Sequence, residues 1–115
     1  MGKKGFVLVI LMFILVYPIS LVASQESTGD LFLEKCAPCH GPQGKGDGPA
    51  AIALNPKPRD FTSGQWKLGG SKEQIIKTIT EGIPGTAMQA WKEFLSPAQI
   101  GQMAAYVLTF SQKAR

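Results

Sequence analysis

The chain has 115 residues, with 12 Lys and Arg against 8 Asp and Glu, so it has room for one domain and carries a formal net charge of +4. That excess is too small, and its lysines too scattered, for a nucleic-acid binder. Two cysteines and one histidine are its whole supply of thiol and imidazole groups.

Lys3 and Lys4 precede an unbroken run of 12 apolar residues, Phe6 to Tyr17, which Pro18 and Ser20 interrupt before Val22-Ala23-Ser24. A charged start, a short apolar stretch and small residues make residues 1–24 a signal peptide, cleaved after Ala23 or Ser24. The alternative is an uncleaved membrane anchor, because Phe6 to Ala23 approaches the lower limit of a span. Both readings place the remainder outside the cytoplasm, either periplasmic or membrane-anchored and facing the periplasm. Removing Lys3 and Lys4 lowers the net charge from +4 to +2. Residues 25–115 are few for a self-sufficient core, and domains of this size gain from a disulfide, a metal or another bound group.

Leu31, Phe32 and Lys35-Cys36 fall at helical offsets, which predicts a short, weakly capped helix from Thr28 or Gly29 into the cysteines. Residues 41–70 hold seven glycines and four prolines without a sustained period, which is loop chemistry, with a helical turn at Ala50 to Leu54. A loop of that length belongs in a small domain when it wraps something. Ser71 and Gln74 form a capping box ahead of Ile75, Ile76 and Ile79, and Gly82 ends that helix. Ile83 to Phe94 reads as a second loop. Ser96-Pro97-Ala98-Gln99 repeats the cap, and Ile100, Met103, Ala104, Val107 and Leu108 make one face of a last amphipathic helix. The fold class is all-α, with three or more short helices and long loops.

Both cysteines and the histidine lie within Cys36-Ala37-Pro38-Cys39-His40. This C-x-x-C-H pattern is that of c-type haem attachment. Two thiols separated by two residues can reach the two vinyl groups of one porphyrin, and the following imidazole can swing to the iron. A disulfide here would close a very small loop and leave His40 without a role. A thioredoxin-like dithiol needs a β-α-β context that is missing, and zinc would lack a second ligand pair. One haem c therefore accounts for all three residues and supplies the apolar body around which loops and helices close.

With His40 as the proximal iron ligand, a methionine sulfur is the natural distal partner. Of the two methionines beyond residue 24, Met103 sits on the apolar stripe of the last helix and reads as core. Met88, in the loop Pro84-Gly85-Thr86-Ala87-Met88, is free to be aimed at the iron. A backbone carbonyl near Pro49 or Pro56 is expected to hold the other imidazole nitrogen. Arg59, Trp66 and Lys67 are candidate donors to the haem propionates, though a solvated loop would show the same residues.

Taken together, KCAPCHG, the Gly44-to-Pro49 stretch GKGDGP, NPKPRDFT, PGTAM and the terminal AAYVLTF give a chain that resembles the class I cytochromes c of the small, exported bacterial kind. The likeness runs from Gly29 to the last helix. It implies a cytochrome c fold in which the first and last helices cross near perpendicular beside the haem, with Gly29 and Phe32 against Tyr106. It also implies haem attachment after export. Many members of that family have proline after the ligand methionine, whereas here Gln89 follows Met88.

The expected function is one-electron transfer between redox-protein donors and acceptors, membrane respiratory complexes among them. No small-molecule substrate is expected, and a monomer is. Lys35, Lys45, Lys57 and Lys92 are candidates to surround the haem edge and steer acidic partners, against the plain reading of a solvated surface. Two alternatives remain: an open-site haem protein that binds peroxide or a gas, and a fixed electron-transfer subunit of a larger complex.

Overall fold

Ser27 starts the first helix, α1 (Thr28–Lys35), and its hydroxyl accepts from the Asp30 amide at 3.1 Å. The cap is therefore stronger than the sequence indicated, and Asp30 near the start and Lys35 near the end complement the helix dipole. These elements come from a computed structural model that describes residues 26–114. The expected signal peptide or anchor, residues 1–24, lies outside the described residues.

α1 stops at Cys36 because Pro38 follows: continued as one helix, its ring would press on the carbonyl of Glu34. A separate turn, α2 (Ala37–His40), begins instead, with the proline where a missing N–H costs nothing. The glycine-rich segment then winds back over α2. Gly46 N–H donates to the His40 carbonyl at 2.8 Å, Gly48 to Cys39 at 3.1 Å and Ala50 to Pro38 at 2.9 Å. Two 3-10 turns interrupt it, Ala51–Ala53 where a helical turn was expected and Phe61–Ser63 where none was. Asp60 caps the second turn by accepting from the Thr62 amide and hydroxyl.

α3 (Lys72–Glu81) has the predicted capping box, Ser71 and Gln74 each bonding the other's backbone, and ends at Gly82 with φ 68°. α4 (Pro97–Lys113) repeats the box with Ser96 and Gln99. It buries Ile100, Met103, Ala104, Val107 and Phe110, while Leu108 is only half-buried. Among the described residues there is no strand, in agreement with the all-α reading. No helix among them is long and apolar enough to cross a membrane.

The core gathers where α4 meets the other elements. α4 packs against α1, α3 and the 61–63 turn, and one cluster joins Phe32, Ile75, Ile79, Leu95 and the buried face of α4. The Phe32 ring lies 5.3 Å from that of Tyr106 and 5.2 Å from that of Phe110, centre to centre. Gly29 faces Tyr106 as expected. A Cβ added there would sit 3.6 Å from the tyrosine oxygen, so the approach is close without requiring glycine. This crossing leaves an opening between α2, the long loop and the segment after α3.

Candidate haem site

That opening is a cavity of about 500 Å³, within the range of cofactor pockets. Cys36, Cys39, His40 and Met88 all line it, and all four helices and both long loops contribute to its wall. Phe32, Phe61, Trp66, Trp91, Leu95 and Val107 supply apolar walls. Met103 also borders the cavity, but its side chain is enclosed in the core at 1% exposure.

The two cysteines form no disulfide. Burial pushes the Cys36 thiol up to about 11, with the neighbouring Cys39 adding to the effect. His40 is held below the ordinary histidine value, chiefly by burial, while a backbone hydrogen bond with Arg59 acts in the opposite sense. Burial thus favours the neutral imidazole, the state in which histidine ligates metals. Its buried Nδ1 lies toward the loop, where the Arg59 backbone is the hydrogen-bonding group that acts on the imidazole. The backbone group closest in effect belongs to Arg59, neither to Pro49 nor to Pro56, although it lies in the same proline-rich segment.

Met88 is placed by a compact turn after α3. Its N–H donates to the Thr86 hydroxyl at 3.1 Å, that hydroxyl donates to the Ile83 carbonyl at 2.7 Å, and Ile83 N–H donates to the Met88 carbonyl at 2.9 Å. Both backbone polar groups of Met88 are therefore satisfied within six residues.

Arg59, Trp66 and Lys67 border the cavity, as do Lys35 and Lys57, and no Asp or Glu is among its lining residues. Lys45 and Lys92 do not border it. Lys57 is tethered, donating to the carbonyls of Ala51 and Ile52, and Lys35 pairs with Glu34. Phe61, to which no sequence motif assigns a role, stacks its ring on His40. An isolated aromatic in a glycine- and proline-rich loop was the one signal available.

Residues 23–107 match the family model for cytochrome c oxidase, cbb3-type, subunit III. The chain belongs to the class I c-type cytochromes. A cbb3-type cytochrome c oxidase subunit FixP of Azorhizobium caulinodans is 39% identical to this cytochrome over 80 residues, 70% of this chain and 25% of that protein. Cytochrome c55X of Stutzerimonas stutzeri is 33% identical over 102 residues, covering 82% of this chain and 79% of the relative. A solved structure of the reducing HAO-like protein complex of Kuenenia stuttgartiensis superposes with a TM-score of 0.69 at 31% identity, over 75% of this chain and 42% of the other. The cytochrome spans about a quarter of the length of the oxidase subunits it matches. Its cofactor is haem c, covalently bound, and the cavity fits that group: thiol, imidazole and thioether donors meet in one apolar space edged by cations.

Proposed function

We propose that this cytochrome is an exported one-electron carrier in which Cys36 and Cys39 form the haem thioethers and His40 and Met88 ligate the iron. When bound, the haem supplies the Fe(III)/Fe(II) couple. The observation that carries this reading is the convergence of Cys36, Cys39, His40 and Met88 on one apolar cavity from separate segments of the chain. The neutral, buried imidazole suits a permanent ligand, and the thioether of Met88 favours the ferrous state. The surrounding apolar side chains limit water, which lowers the reorganisation that accompanies electron transfer. Arg59 and Lys67 are donors to the propionates, and the cation-only edge attracts acidic redox partners.

His40 is the only histidine of the chain, so no distal histidine remains for peroxide chemistry, which favours a closed site that transforms no substrate. The protein acts after removal of residues 1–24, in the periplasm and as a monomer. A second reading is supported by the oxidase-subunit relatives: the same domain docked permanently in a larger redox complex and passing electrons within it.

Spectra of the purified oxidised and reduced protein, repeated after denaturation and solvent extraction, test the proposal. Haem that resists extraction is expected, with the weak far-red band of methionine-bound ferric iron. Met88→Ala is expected to abolish that band while Met103→Leu keeps it. The reverse result would move the ligand to α4, and extractable haem would overturn the thioether assignment. Amino-terminal sequencing of exported protein tests cleavage, and sedimentation at several concentrations tests the monomer.

A further inference from the structure

Among the described residues four large apolar side chains are exposed: Leu33, Ile52, Leu68 and Phe94. Phe94 is the one aromatic of the four, at 66% exposure, and the local backbone fixes its place. After Trp91 the chain makes a tight turn in which the Phe94 and Leu95 N–H groups both donate to the Trp91 carbonyl at 2.9 Å. Trp91 N–H donates to the Ile79 carbonyl at 3.0 Å, which pins the turn to α3. Leu95 enters the core and Ser96 caps α4, so the turn is held at both ends and Phe94 is left outside.

The Phe94 ring meets Trp91 edge to face, with centres 5.9 Å apart and planes inclined by 68°. Trp91 lines the haem cavity, as Met88 does. Two rings in contact thus run from the cavity wall to solvent on the methionine side. The charge there differs from that at the cavity edge. Lys35, Lys57, Arg59 and Lys67 border the cavity without any Asp or Glu, whereas residues 89–94 hold one cation, Lys92, and one anion, Glu93, both exposed.

We infer that Phe94, backed by Trp91, is the contact for a second redox partner, one that presents an uncharged, apolar patch. An acidic partner is drawn to the cation edge and is screened by salt. Around Phe94 the charges cancel, so attraction there comes from covering a ring that is already fixed and costs little ordering. With two separate contacts, donor and acceptor can be held at once. This contact presupposes the electron-carrier reading above. The exchange is of one electron, the partner oxidised by one as the site is reduced or the reverse, with no bond made or broken.

Adsorption and voltammetry of the holoprotein on two gold electrodes test it, one coated with a methyl-terminated alkanethiol and the other with a carboxylate-terminated one. The wild type is expected to bind both, and raised salt to release it from the carboxylate surface only. Phe94→Ser is expected to weaken adsorption on the methyl surface about tenfold, read as mass uptake, and to remove electron exchange there while the carboxylate surface behaves as with the wild type. Ile52→Ser, which removes an apolar side chain 86% exposed, is expected to change neither surface. Unaltered methyl-surface adsorption in Phe94→Ser, or an equal loss in Ile52→Ser, would overturn the inference. So would self-association of the wild type in sedimentation that Phe94→Ser abolishes, since the occupant would then be a second copy of the chain. A one-electron wave on the carboxylate surface alone overturns this contact and leaves the carrier reading in place, whereas no wave on either surface overturns both.

Discussion

The segments carrying His40 and Met88 reach the same cavity by different means. His40 sits on a helical turn that a loop of about 30 residues has folded back upon. Backbone bonds from Gly46, Gly48 and Ala50 reach the carbonyls of His40, Cys39 and Pro38, and Phe61 bonds to Gly44. Met88 hangs on a turn whose bonds stay local, among Ile83, Thr86 and Met88, with Trp91 N–H donating to Ile79 at 3.0 Å as the link to α3. The histidine side is a network that closes over distance, and the methionine side is a clip. A network fails as a whole when its geometry is violated, whereas a clip can open without unfolding the domain.

The contrast should be sharpest at Gly48. A Cβ there would lie 2.4 Å from the carbonyl oxygens of both Ala37 and Pro38, backbone atoms that cannot step aside. Gly48→Ala is expected to cost about 3 kcal/mol or more and to cut the yield of haem-loaded protein severely. Near wild-type thermal stability would break the picture of an interlocked histidine side.

On the other side, Met88→Ala is expected to leave covalent haem and helical content unchanged while removing the far-red band and lowering the reduction potential. Circular dichroism and potentiometry on one sample check both halves. Global unfolding would show that the methionine loop is no independent clip.

A smaller effect is expected of Thr86→Val, which keeps the side-chain shape but removes the hydroxyl that accepts from Met88 and donates to Ile83. About 1 kcal/mol of loop stability should be lost. The far-red band should then disappear at a lower temperature than in the wild type, well before the helices melt, and Thr86→Ser should restore it. Coincident loss of band and helix would erase the distinction between the two sides.

The smallest change concerns Asp60, whose carboxyl lies below the ordinary Asp value because it accepts from Thr62. Asp60→Ala should cost only about 0.5 kcal/mol, since the cap is exposed to solvent. The sign follows from the lowered value: the contribution is present above the unfolded Asp value of about 4 and is lost as pH falls through the folded one. The stability gap between wild type and variant should therefore close in acid. A gap that widens in acid would mean that Asp60 does not act through its charge.

The turn that carries Met88 is stiffened by one side chain. The Thr86 hydroxyl bridges the turn internally, a detail that depends on where Ile83 is folded and not on which residue follows Met88. Phe61 offers a second example. In the sequence it is one aromatic within a stretch of glycine, proline and polar residues, and only the folded loop sets it on His40.

The residues by themselves determined the helix limits at Ser71, Gly82 and Ser96, the buried face of α4 and the C-x-x-C-H motif. Caps, periodicity and thiol spacing act over three to eight positions and need no distant partner to be read. The stacking of Phe61 on His40 and Trp66 and the bracing of a loop of about 30 residues by Gly48 were decided by the tertiary structure alone. Each depends on where a chain without periodic order returns in space, and that path is set by close contact between atoms far apart in sequence.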